Sequence, residues 1–445
     1  MPFLPSSAES INSTGSVNIS SSSNYSSVLS SITATSSKRY ILLVQSQFER
    51  TGSFGPSCQV KMKVSIAGND LEDSEQFYTI DSGIETGGFY SYFTLLEADS
   101  FTTGNVVLHC QVNPVDSNLS VTVNTSAIIL IDASSLSDGE QYAYSASTSD
   151  KVLTGTNSDE LTLSIPSSLS NSGDWLVLSQ TQAEMGDEEN IYNKVSTWRG
   201  QSVGPSILVK SKNATDKILF SNSFHIGNEF LTIPSYLSGE TLNEDDGPVK
   251  KLRVKSSVTD GRDTSITVKS SKMLALRLSS FAGFVKDFET GSQNSGNLST
   301  KTLITEGKTF EKDISLSASE GSDVLARSVI FASFIYKPIF NNSLSFRYRA
   351  GSDTAGFLPS GMLNNDIVQS NNSGDKYPVN FYGYVDENTP VGNKNFNIKG
   401  QSFFDGTFST DIFLTVINLG DQTPDPLADP STRAKMEPNG VIRKF

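Results

Sequence analysis

The sequence predicts an all-β chain: three tandem antiparallel β-sandwich domains of jelly-roll type, followed by an extended C-terminal arm. Three observations predict it. Polar uncharged residues fill the composition, two strand-length blocks recur in the same order, and short apolar or alternating runs are punctuated by Gly, Asn, Asp and Ser clusters.

Composition comes first. Hydrophobic residues make up 36% of the 445 residues and charged residues 18%, so Ser, Thr and Asn fill much of the remainder. Ser and Asn side chains compete for backbone hydrogen bonds inside helices but serve turns and exposed strand faces well. A single core stops growing at roughly 250–300 residues, so this length implies about three domains.

The repeat is the second observation. Tyr40-Ile41-Leu42-Leu43-Val44-Gln45-Ser46-Gln47-Phe48-Glu49 aligns without a gap on Trp175-Leu176-Val177-Leu178-Ser179-Gln180-Thr181-Gln182-Ala183-Glu184. Downstream, Val121-Thr122-Val123 and Ser126-Ala127-Ile128-Ile129-Leu130-Ile131 match Ile266-Thr267-Val268 and Ser271-Lys272-Met273-Leu274-Ala275-Leu276. A weaker third copy keeps the order, from Val329–Phe334 through Leu344–Tyr348, Val379–Tyr382 and Asn395–Ile398 to Ile412–Val416. Self-similarity at domain spacing marks a repeat architecture.

The third observation sets the strands. Short runs between turn clusters such as Ala67-Gly68-Asn69-Asp70 and Asn171-Ser172-Gly173-Asp174 read as a sandwich or jelly roll. The central strands are almost wholly apolar, as a strand covered on both faces would be. The expected units are 1–137, 138–285 and 286–420, with an arm at 421–445. By the repeat, residues 1–36 should supply the first strands of copy one, with disorder as the alternative for so Ser- and Asn-rich a stretch. Asp138 to Tyr142 and Gly283 to Asn297 read as short joints, which favour a rigid rod or arch.

After Gly420 the chain cannot continue a ladder. Pro424, Pro426 and Pro430 lack the backbone donor, and Val441, Ile442, Arg443 and Phe445 end the chain with an apolar-basic segment. An extended arm docking on a neighbouring subunit is one expectation for these residues, and a frayed terminus is the other.

The net charge of −14 opposes binding to nucleic acid. The N-terminus has neither the basic nor the apolar region of a signal peptide, and no apolar run has membrane-spanning length. Cys58 and Cys110 fall in phase with apolar neighbours and read as small buried residues, with a disulfide left open. Two Cys and two His in no ligand spacing give no zinc site, so neither a metal nor a cofactor is expected.

His109 and His225 sit at different places in different copies, and His109 lies on the outward parity of its strand. No nucleophile elbow, P-loop or dinucleotide fingerprint is present. Acidic loops (Asp70, Glu72, Asp73; Asp187, Glu188, Glu189; Glu244, Asp245, Asp246) lack the EF-hand pattern. Gln45, Gln47, Glu49 and their counterparts Gln180, Gln182, Glu184 could line a saccharide face, with Tyr90, Tyr92 or Trp198 as stacking platforms. They could equally form a solvated strand face or polar contacts between subunits.

The aromatic-aliphatic strand ending in small and polar residues, the alternating strands, and the closing strands Ile128–Ile131 and Met273–Leu278 resemble β-sandwich domains of tailed-bacteriophage virion proteins. The Ser-, Asn- and Thr-rich acidic composition is similar to that of marine and cyanophage proteins. The resemblance covers residues 1–420; Asp411 and the long insert between Gly351 and Tyr377 depart from it in the third copy. It implies a non-enzymatic virion component, a capsid decoration, fibre or tail part, whose partners are other virion proteins and its own copies rather than nucleic acid or membrane. The alternative is a carbohydrate-binding receptor module, with a host surface glycan as partner.

Overall fold

The computed structural model describes residues 8–13, 16–20, 24–51, 58–80, 87–114, 120–154, 158–165, 174–185, 206–212, 218–225, 230–241, 250–258, 265–281, 283–290, 303–304, 309–317, 326–337, 343–350, 365–368, 377–387, 393–402 and 406–421. The described strands fall into three sets. The first comprises β1 (Ala8–Ser13), β2 (Val17–Ser20), β3 (Ser26–Ala34), β4 (Tyr40–Thr51), β5 (Cys58–Ile66), β6 (Asn69–Asp70), β7 (Gln76–Ile80), β8 (Gly87–Leu96), β9 (Gly104–Pro114) and β10 (Ser120–Asp132). The second comprises β11 (Tyr142–Ser147), β12 (Lys151–Thr154), β13 (Ser158–Ile165), β14 (Asp174–Met185), β15 (Ser206–Lys212), β16 (Ile218–His225), β17 (Phe230–Thr241), β18 (Lys250–Val258) and β19 (Ser265–Arg277). The third comprises β20 (Gly283–Thr290), β21 (Leu303–Ile304), β22 (Thr309–Ser317), β23 (Ala326–Lys337), β24 (Ser343–Ala350), β25 (Asn365–Val368), β26 (Tyr377–Glu387), β27 (Asn393–Ser402) and β28 (Gly406–Asp421).

One pairing scheme recurs in all three. An inner sheet runs β1-β10-β4-β8, then β11-β19-β14-β17, then β20-β28-β23-β26; β2, β12 and β21 lie on the closing strand beside the first strand of the set. An outer sheet runs β3-β9-β5-β6 with β7 also on β5, then β13-β18-β15-β16, then β22-β27-β24-β25. Strands successive in sequence cross between the sheets, as in a jelly roll. The segments matched in the sequence occupy the same strand position in each set. Pro234 and Pro378 fall in β17 and β26, edge strands of their inner sheets, where a missing ladder donor is tolerated.

The alternation of β4 shows how the chain is buried. Tyr40, Leu42, Val44 and Phe48 face the outer sheet of their own set, meeting Val60, Met62 and Val64 of β5 and Val106, Leu108 and Val112 of β9. Ile41 and Leu43 point the other way, into a second core. That core is common to all three sets. Ile41, Leu43, Ile129 and Ile131 meet Leu176, Leu178, Leu274 and Leu276, and these meet Val329, Phe331, Ile417 and Leu419. The registers are equivalent, because Ile41 pairs with Ile131, Leu176 with Leu276 and Val329 with Ile417. Three inner sheets therefore close around one apolar centre.

This arrangement corrects the rod or arch expected from the short joints. A joint length limits how far two domains separate but says nothing about whether their sheets present apolar faces to each other. The second joint also needs correction: Gly283–Thr290 is a strand, β20, paired along β28, and only Leu278–Ser280 forms a turn of 3-10 helix before it. Buried Phe281 joins the shared core directly.

Elsewhere local signals act as read. Ala67 and Gly68 both have positive φ (52° and 83°) and form the two-residue turn between β5 and β6. Gly104 passes so close to this turn that a Cβ there would lie 2.5 Å from Ala67 Cβ. The predicted arm (421–445) lies outside the described residues apart from Asp421, the last residue of β28. Among the described residues, no helix is long and apolar enough to cross a membrane.

Candidate functional site

The seams between inner sheets hold the buried polar chemistry. At the first seam, β14 and β19 of the second set face β8 and the turn before β7 of the first. Gln180 Nε2 donates to the Ser91 carbonyl at 2.9 Å, and Gln76 Nε2 donates to the same oxygen at 2.8 Å. Gln182 Nε2 donates to the carbonyls of Glu75 (2.8 Å) and Asp73 (3.2 Å), while its Oε1 accepts from Ser270 Oγ at 3.2 Å. Tyr144 of β11 adds a hydroxyl contact to Thr94 at 3.3 Å. At another seam, Gln45 Oε1 accepts the Tyr382 backbone N–H at 2.7 Å, and Tyr384 donates to the Ala8 carbonyl at 3.1 Å. At the remaining seam β17 packs against β20, β26 and β28. Each set thus offers its β8-type edge to the next set's inner sheet, first strand included, a head-to-tail contact that closes a ring.

Lys272 is a buried charged group at the first seam. Its side chain is 1% exposed, and Nζ lies 3.1 Å from Asp73 Oδ2. Tyr92 places its ring centre 3.7 Å from Nζ, and Phe93 lies 5.3 Å away. Burial pushes the ammonium below its ordinary pKa, with Asp73 opposing. Asp73 holds a positive φ of 55°, in a region short polar residues tolerate. The Tyr92 hydroxyl reaches the Glu72 carbonyl (3.3 Å) and Asp73 Oδ1 (3.4 Å).

A second cluster lies on the outer sheet of the first set. His109 Nε2 is 2.7 Å from Ser65 Oγ, and the Tyr25 ring stands edge-on to His109 with centroids 6.4 Å apart. Lys63 Nζ lies 4.1 Å from the Tyr25 ring centre and 2.6 Å from Asp70 Oδ2, and Tyr25 donates to Glu75. Partial burial, then the Lys63 charge, lowers the His109 pKa. The cluster lies on the outward side of an open sheet.

The saccharide expectation fails for two residues. Tyr90 and Tyr92 are 0% and 1% exposed and pack in the first set's own core, Tyr90 donating to the Ser74 carbonyl at 2.8 Å. Even-numbered residues of β8 face inward, so neither ring can meet a sugar. Trp198 lies outside the described residues, as do Pro424, Pro426, Pro430, Val441, Ile442, Arg443 and Phe445. The paired glutamines Gln45, Gln47, Gln180 and Gln182 are buried rather than solvated. Cys110 is buried as expected. Register places Cys58 opposite Pro114 and Cys110 opposite Met62. Four residues of strand, about 13 Å, then separate the two cysteines, too far for a disulfide.

Sequence reasoning missed Lys272 and its pairing with Asp73. The signal was available: Lys272 interrupts a closing strand at the position where the first copy has Ala127.

No family model and no curated protein matches the sequence. Among solved structures, a β-porphyranase of glycoside hydrolase family 86 from Bacteroides plebeius is similar over 61% of this chain at 12% identity and a TM-score of 0.18. The match covers 37% of that enzyme, so the chain spans little more than a third of its length. A tandem CBM22 domain from Paenibacillus barcinonensis Xyn10C matches over 60% of this chain and 91% of its own, at 10% identity and TM-score 0.17. A triple jelly roll protein of an archaeal virus turret assembly matches over 90% and 89%, at 8% identity and TM-score 0.19. All three similarities are weak, and none bears on function.

Proposed function

We propose that this chain is a non-enzymatic structural component of a virus particle, a capsid decoration, fibre or tail part of the tailed-phage kind its sequence resembles. The shared centre carries the reading. Three jelly rolls spend the second face of every inner sheet on one another, which makes a rigid triangular block with pseudo-threefold character. Closed head-to-tail rings of this kind suit a unit that tiles or caps a symmetric assembly. The buried glutamines Gln45, Gln180 and Gln182 are committed to contacts between repeats. The glycan-receptor reading loses two of its three stacking platforms.

Virion membership is tested by mass spectrometry of purified particles. The protein is expected at a fixed stoichiometry to the major structural proteins; absence from washed particles would refute the reading. Removing residues 421–445 tests the arm separately: the three sandwiches are expected to fold while incorporation falls, and normal incorporation would dismiss it.

A further inference from the structure

We propose that Lys272 and Asp73 are a modification site, joined by a spontaneous intramolecular isopeptide bond that ties the second repeat to the first. The inference does not depend on the function proposed above.

The geometry supplies each requirement of amide formation. The nucleophile and electrophile are already adjacent: Nζ is 3.1 Å from Asp73 Oδ2, an atom bonded to the carboxyl carbon it would attack. Both side chains are held, Lys272 on a central strand of the inner sheet and Asp73 in a turn whose own carbonyl accepts from Gln182. The surroundings are dry and aromatic, Tyr92 and Phe93 covering the amine. Tyr92 directs its hydroxyl at Asp73 Oδ1, 3.4 Å away, where it can polarise the carbonyl oxygen that is retained.

The charged pair is poorly served here. A buried ammonium has three donors to satisfy, yet among the described residues Nζ meets one carboxylate, at 3.1 Å, and otherwise ring faces. Amide formation begins once the ammonium passes a proton to the carboxylate, which leaves a neutral amine beside a neutral acid. The amine lone pair then attacks Cγ, the Nζ–Cγ bond forms and the Cγ–Oδ2 bond breaks. The departing hydroxyl takes one proton from the nitrogen and leaves as water; no oxidant or cofactor is needed. Asp73 is a tenth exposed, so the water is released beside a group that solvent touches.

The pair is not demanded by the repeated fold. Register puts Ala127 at the Lys272 position of the first set and Phe413 at that of the third. A lysine placed there once, against a single aspartate, serves this seam alone.

Intact-mass measurement of the purified full-length chain tests the proposal. The chain is expected to be lighter than its sequence by one water, and digestion should release a branched peptide joining the segments that carry Asp73 and Lys272. Lys272→Arg should restore the full mass. A wild-type chain of full mass overturns the proposal. So does a water loss that maps elsewhere or persists in Lys272→Arg. The branched peptide is sought in the unaltered protein, so the test survives a variant that fails to fold.

Discussion

Leu42 and Leu43 are neighbours on one strand, both fully buried, yet they belong to different cores. Leu42 closes the sandwich of the first set; Leu43 meets the inner sheets of the other two. The first core is made by residues within about a hundred positions, the second by residues from Ala8 to Leu419. The difference teaches that one stretch of continuous apolar sequence can encode a domain and its assembly together, with side-chain parity separating the two.

The sharpest way to break the comparison is to charge one face at a time. Leu43→Asp places a carboxylate where three sheets converge and no partner waits. A loss of several kcal/mol, about 4 or more, is expected, and calorimetry should resolve separate transitions in the variant where the unaltered protein is expected to melt in one. Leu42→Ala should cost about 2–5 kcal/mol and act mainly on the first set, seen as selective loss of its amide protection in hydrogen exchange. If both substitutions lower all three sets equally, the two cores are not separable.

Smaller changes probe the polar seams. Gln180→Leu removes the donor to the Ser91 carbonyl, which keeps Gln76, so a loss of only about 1 kcal/mol in denaturant unfolding is expected. Least of all should be the effect of His109, remote from the shared centre. Its folded pKa lies below the ordinary 6.5, so between those two values the unfolded chain binds more protons. Stability should therefore fall as pH drops from about 6.5 through the folded value, and an NMR titration should give a midpoint under 6.5 that rises in Lys63→Met.

Much of the fold was legible because strand period and repeat spacing are local properties. The apolar run Ile41–Val44 announced a strand covered on both faces, and the repeat announced that Leu176–Leu178 would behave likewise. What covers the second face was not legible, since any apolar surface satisfies the same pattern. The paired glutamines were legible as a shared constraint but not as seam contacts, because their partners, the Ser91 carbonyl and the Tyr382 amide, are backbone groups that leave no mark on side-chain identity. Tyr90 and Tyr92 were misread for a related reason: an aromatic alternation gives two faces but not which one meets solvent. Lys272 was hidden by its apolar neighbours, and Asp73 by its acidic ones.

The ring closure has one further consequence. Since every set touches both others, the covalent order of the three is not what holds them side by side. Opening the backbone within 138–142 and joining the original ends through a linker should give a permuted polypeptide that still assembles the same three sets around their common centre.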